Sequence, residues 1–185
     1  MVMAEQLVAT RRPETPILRI SLPMGISYNG HAGAIDWIQN RFKFNRPATL
    51  YYDEVRTPTY TDCLNRLFEV MLGNDLGGLY HTGGKVRLSL FEIAQIVNRV
   101  GGYDPRWLEG CYRLEAGPLP PRAGNVTMIS DKIRKEVGFD PFAPWPYHDD
   151  FIPTHREWHK ERSPSLQGSP GLLAETLYRN PAIVN

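Results

Sequence analysis

Hydrophobic and polar positions recur along the chain with two periods, and each change of period marks an element. Ala4, Leu7 and Val8 fall at helical spacing, with Glu5, Gln6 and Arg11 on the other face. No Ser, Thr, Asp or Asn precedes this helix as an N-cap, which predicts a missing upstream piece. After the turn from Arg12 to Pro16, the run Ile17-Leu18-Arg19-Ile20-Ser21 reads as a strand entering a buried sheet, stopped by Pro23 and Gly25. A Gly- and Asn-rich loop leads to a helix with Ile35, Ile38 and Phe42 on one face. The segment from Thr49 to Val55 then gives a second strand.

Cys63, Leu64, Leu67, Phe68 and Met71 form the apolar stripe of another helix, with Gly73 as its stop. A short strand follows between the glycine pairs 77–78 and 83–84. Ser89 and Glu92 make the S-x-x-E capping box of the next helix, Ile93, Ile96, Val97 and Val100 its core face, and Gly101 its end. Beyond the stiff stretch Pro118 to Pro121 the pattern predicts a strand from Val126 to Ile129. Ser130 then caps a short helix that closes at Gly138. From Pro141 onward an aromatic, Pro-rich segment has no clear period, and is expected to wrap the surface irregularly, above all after Arg162. The alternation of helix and strand predicts an α/β fold.

Composition narrows the function. With 185 residues, 42% hydrophobic and 22% charged, the chain suits a single soluble globular unit. A net charge of +1 supplies no general attraction for nucleic acid or for an anionic membrane, so any anion site must be local. No apolar run approaches the roughly 20 residues that span a bilayer, and residues 1–20 are too charged for a signal peptide, so the expected compartment is the cytoplasm. Cys63 and Cys111 read as free thiols. His155 and His159 would share a face of a helix and chelate zinc, yet Glu157 breaks the H-E-x-x-H order; incidental histidines on an exposed segment are the expectation, and no metal ligand is assigned. His81, alternating with Tyr80 on a strand, is assigned a structural role. Nucleotide signatures are also missing: no G-x-G-x-x-G occurs, and Val86 stands where a P-loop needs Ser or Thr.

Four segments in order carry more information than any one of them: Ile17 to Gly25, Asp53 to Leu64, Gly78 to Val97, and Pro120 to Phe139. Together they resemble the C-terminal half of the extended short-chain dehydrogenases of the NAD-dependent epimerase/dehydratase superfamily, most closely the dTDP-4-dehydrorhamnose reductase (RmlD-like) branch. The resemblance implies the C-terminal part of a Rossmann-type NAD(P)-binding fold plus a small α/β substrate-binding subdomain, with the N-terminal dinucleotide-binding half absent. It divides the chain into a Rossmann remnant (1–27), a substrate-binding subdomain with returning Rossmann elements (28–140) and a Pro/aromatic-rich tail (141–185). It implies Arg56 and Arg122 on the diphosphate of a nucleotide-linked sugar, where a guanidinium fork matches phosphate oxygens. Thr59 and Tyr60 would shape the floor of the substrate cleft, Asn29 would face the sugar, and Ser21, Leu22 and Pro23 would lie beside the nicotinamide of NAD or NADP.

The same resemblance places a Tyr-x-x-x-Lys pair upstream, with its lysine at position 1, where the residue is Met1. None of the nine tyrosines has a lysine four positions on. No catalytic residue is therefore assigned, and neither hydride transfer nor tight cofactor binding is expected of this chain alone. The expected parent reaction is reduction, epimerisation or dehydration of a nucleotide sugar. The alternatives are a non-enzymatic module, as in the regulatory subunit of methionine adenosyltransferase, and a start site misplaced downstream of the true one. A second chain supplying the missing sheet, or a homo-oligomer, is the expected protein partner, because the strand at 17–21 would otherwise expose its edge.

Overall fold

The protein is described from a computed structural model, which covers residues 2–29, 32–118, 120, 123–162 and 167–183. Its first element is helix α1 (Val2–Arg11), followed by strand β1 (Pro16–Ile20). β1 pairs in parallel with β6 (Gly78–Thr82), in a register running from Pro16 opposite Gly78 to Ile20 opposite Thr82. Among the described residues there are three further two-stranded ladders. β2 (Pro23–Met24) pairs in parallel with β5 (Thr59–Tyr60), and β3 (Ala48–Tyr51) in parallel with β8 (Leu108–Cys111). β4 (Val55–Arg56) runs antiparallel to β7 (Leu88–Ser89). The chain is thus mixed α/β, with three of the four ladders among the described residues parallel.

Helix α4 (Leu90–Val100) is the axis of the core. Its capping box forms as the sequence predicts: the Glu92 N–H donates to Ser89 Oγ at 3.1 Å, and the Ser89 N–H donates back to Glu92 Oε2 at 2.6 Å. Phe91, Ile93, Ala94, Ile96, Val97 and Val100 are all buried. So are the polar Gln95 and Asn98, so the helix is surrounded rather than laid on a surface. Helices α2 (Ala34–Lys43) and α3 (Thr61–Leu72) add Ile35, Ile38, Phe42, Leu64 and Leu67 to the same core. α5 (Asp131–Val137) ends at Gly138, whose φ of 76° is the left-handed conformation that favours glycine.

Several expectations change. The strand read over 49–55 breaks at Tyr52–Glu54 into β3 and β4. Val126 to Ile129 forms no strand; a bridge from Asn125 to Val55 precedes it, and the Val126 N–H donates to the Val55 carbonyl at 3.0 Å. Ser130 does not cap α5 with its side chain: its hydroxyl donates to the Gly83 carbonyl at 2.8 Å and accepts the Gly83 N–H at 2.9 Å. β8 has no counterpart in the sequence pattern, since Leu-Glu-Gly-Cys shows neither alternation nor a β-branched residue.

The largest correction concerns the described residues of 141–162 and 167–183, which enter the core instead of wrapping it. Phe142, Trp145, Phe151 and Trp158 are buried, and helix α6 (Pro170–Leu177), N-capped by Ser169, buries Leu173 and Leu177. The Trp145 indole N–H donates to the Leu177 carbonyl at 2.9 Å, and the Asn180 N–H donates to Asp62 at 3.0 Å. The Tyr178 hydroxyl reaches Asp36 at 3.0 Å and Gln39 at 2.9 Å. Burial and the adjacent Asp36 carboxylate both raise the Tyr178 pKa, so it remains a neutral donor.

α1 stands in contrast, with none of its residues buried. It is tied to β1 by a two-pronged ion pair in which Arg19 donates to Glu5 at 3.0 and 2.7 Å.

Leu177→Ala tests the place of the last helix. Because Leu177 is 0% exposed, truncation should cost about 2–5 kcal/mol of unfolding free energy in a urea titration; a surface-lying tail would lose almost nothing.

Candidate functional site

Of the site residues inferred from the sequence, Ser21, Leu22 and Pro23 lie at the carboxyl end of the β1–β6 ladder, the edge where parallel α/β sheets place ligands. Ser21 follows the last residue of β1, and its hydroxyl accepts hydrogen bonds from the Thr57 N–H at 3.3 Å and the Thr57 hydroxyl at 3.2 Å. The Leu22 carbonyl accepts the Thr59 N–H at 3.0 Å, and Pro23 is in register with Thr59. The glycine turn after β6 closes the same corner. A Cβ on Gly84 would lie 1.9 Å from the Pro58 carbonyl oxygen, so only glycine fits this close approach.

Arg56 lies one strand further on, half-buried. Its guanidinium binds the buried Glu54 carboxylate at 2.5 Å and donates to the carbonyls of Val55 at 2.8 Å and Gly124 at 3.0 Å. It therefore holds the 123–126 segment against β4, and any anion it met would compete with Glu54. Glu54 is 1% exposed and Arg56 18% by side chain, so this charge pair sits at the boundary of the interior.

Thr59 and Tyr60 are placed differently from the expectation that they form a cleft floor. Both are 0% exposed. The Tyr60 hydroxyl donates to the Thr176 carbonyl at 2.7 Å and accepts the Tyr147 N–H at 3.0 Å, and burial pushes its pKa well above the ordinary phenol value. In this conformation neither side chain presents a face to a ligand. Asn29 is exposed in its loop, where its side-chain oxygen accepts the Ala32 N–H at 3.1 Å. Beside it Tyr28 is fully exposed. Arg122 lies outside the described residues.

The histidines of the last segment are separated by burial. His155 is exposed and meets Glu161 at 3.0 Å, whereas His159 is buried against Phe91 and Gln95. Burial lowers the His159 pKa, which keeps the ring neutral. Among the described residues no group of three or more His, Cys, Asp or Glu side chains is gathered to hold a metal ion. Cys63 is buried, and desolvation raises its thiol pKa.

Residues 2–148 match the model of the RmlD substrate-binding domain. The chain belongs to the RmlD substrate-binding domain family. Solved structures agree on the fold of this RmlD-family chain. The dTDP-4-dehydrorhamnose reductase of Bacillus anthracis in complex with NADP superposes with a TM-score of 0.69 at 21% identity, over 78% of this chain and 50% of that one. The Clostridium acetobutylicum dTDP-4-dehydrorhamnose reductase ortholog gives 0.66 at 20%, covering 95% and 52%. The UDP-glucuronic acid 4-epimerase of Bacillus cereus, in complex with UDP-glucuronic acid and NAD, gives 0.60 at 16%, covering 76% and 44%. The chain thus spans about half the length of these structures. No curated protein compared with it gives a significant match. Among the described residues no helix is long and apolar enough to cross a membrane.

The RmlD-like chain uses Arg56 as a brace, and that can be measured. Arg56→Ala should lower stability by at least about 1.5 kcal/mol in a denaturant titration, since it removes charge-assisted bonds to Glu54 and to two carbonyls. Arg56→Lys should recover only part of it, because an ammonium cannot span three acceptors as a planar fork does.

Proposed function

We propose that this chain is the nucleotide-sugar-binding portion of an NAD(P)-dependent reductase, epimerase or dehydratase, and that it does not catalyse hydride transfer by itself. The observation that carries this is the placement of Ser21, Leu22 and Pro23 at the carboxyl end of a parallel strand, braced by Thr57 and Thr59. Together with the RmlD family match, the corner is suited to border a cofactor and a sugar diphosphate. The residues fit the rim of a dinucleotide site and not its phosphate cradle, because the sequence contains no G-x-G-x-x-G turn. When bound, NAD(P) would supply the hydride chemistry; Ser21 to Pro23 would border its nicotinamide end, and Arg56 and Arg122 would neutralise the sugar diphosphate.

The outer side of β1 supports a partner for this half-sheet. In the described residues β1 is paired on one side only, Ile20 is 41% exposed, and α1 leaves Val2, Met3 and Leu7 at 61, 83 and 54% exposure. Parallel strands are ordinarily covered on both faces. A dinucleotide-binding half, whether it precedes this segment in one polypeptide or arrives as a second chain, would bury that surface. A purely regulatory role on the same fold is supported by one sequence observation, the absence of any Tyr-x-x-x-Lys.

Calorimetry with dTDP- and UDP-sugars tests the proposal. Binding should be detectable, and Arg122→Ala should weaken it at least about tenfold, the equivalent of ~1.4 kcal/mol. NADH should show no tight binding to this chain alone. Unchanged affinity in Arg122→Ala would remove that residue from the site, and tight NADH binding would overturn the division of labour.

A further inference from the structure

On the face of the β4–β7 ladder away from Arg56 lies a second cleft, of about 430 Å³. Val55 is in register with Ser89, and both line it; Arg56, opposite Leu88, projects to the other side because strand side chains alternate. The volume lies within the range of small-molecule sites.

Two cations line this cleft. The Arg156 guanidinium lies 4.2 Å from the centroid of the Tyr52 ring, and one of its nitrogens donates to the Tyr112 hydroxyl at 2.7 Å. Stacking fixes the plane of the fork and leaves its remaining edge donors available. The backbone that carries it is also fixed: Gln95, 1% exposed, donates to the carbonyls of His155 at 3.1 Å and Arg156 at 2.9 Å. Arg87 is exposed and makes no hydrogen bond or ion pair with another described residue. The one carboxylate on the wall, Glu92, is engaged by the Ser89 N–H and hydroxyl at 2.6 and 2.8 Å. His155, also on the wall, is turned to Glu161. Arg156 lies beyond the matched family region 2–148, so the wall is built partly from this chain's own C-terminal segment.

The geometry points to a binding site for a phosphomonoester carried on a small organic body, separate from the corner that holds Ser21 and Thr57. Two guanidiniums against one capped carboxylate suit a group that bears close to two negative charges and three acceptor oxygens, more than a single carboxylate offers. The volume exceeds what a phosphate alone fills, and Val55, Phe91 and the Tyr112 ring supply apolar walls for the remainder.

Calorimetry on the full chain with phenyl phosphate is the test, with inorganic phosphate and benzoate as comparison ligands. Phenyl phosphate should bind, and more tightly than either. Arg87→Ala, at an exposed side chain without partners, should fold normally and lose at least about tenfold in affinity. Arg156→Lys should lose a similar factor, while Arg12→Ala, at an exposed arginine paired with Glu14, should change nothing. No binding, equal binding of benzoate, or equal losses in Arg87→Ala and Arg12→Ala would each overturn the assignment. None of these outcomes bears on nucleotide-sugar binding, which is read from Arg122→Ala.

Discussion

A buried phenol must satisfy both its hydrogen and its oxygen, and the structure is organised around one that does. Tyr60 donates to the turn of α6 and accepts from the backbone at Tyr147, so two remote parts of the last forty residues are fastened to strand β5 by one oxygen atom. Leaving either group unpaired at 0% exposure would cost about as much as the bonds contribute, so the three segments hold one another in place. β5 in turn pairs with β2, just beyond the end of β1. The aromatic segment is in this way coupled to the corner that gathers Ser21, Thr57 and Thr59.

Much of this was legible in the sequence where a local pattern set the structure. The capping box at Ser89 and Glu92, the apolar stripes of α2, α3 and α4, and the left-handed stop at Gly138 all follow from contacts within a turn or two. What could not be read locally depends on partners far away in the chain. β8 exists because β3 offers it a ladder, and the Ser130 hydroxyl turns away from its own helix because the Gly83 backbone lies opposite. The aromatic residues after Pro141 have no helical or strand period, since each is buried by a different neighbour. Tyr60 shows the same limit at the candidate site. Its order in a recognisable segment made it look like a cleft residue, and only the return of the C-terminal helix encloses it.

Arg56, proposed for recognition, already serves stability. A guanidinium already committed to a buried carboxylate and two carbonyls is held rigidly, and its position is fixed before any anion arrives. The same commitment limits what it can give, since Glu54 shares its charge. The arginine is thus held rigidly, while the apolar residues Val2, Met3 and Leu7 of α1 remain exposed.

The amide of Gln95 has a consequence for the chain at 155–156. Two carbonyl oxygens in front of it decide which end of the amide faces them: the NH2 group must point that way, and it is then also the atom that meets His159 Nδ1 at 3.1 Å. One buried amide, 60 positions upstream, therefore spends both its hydrogens on the backbone at 155 and 156 and anchors that segment to α4 through main-chain oxygens.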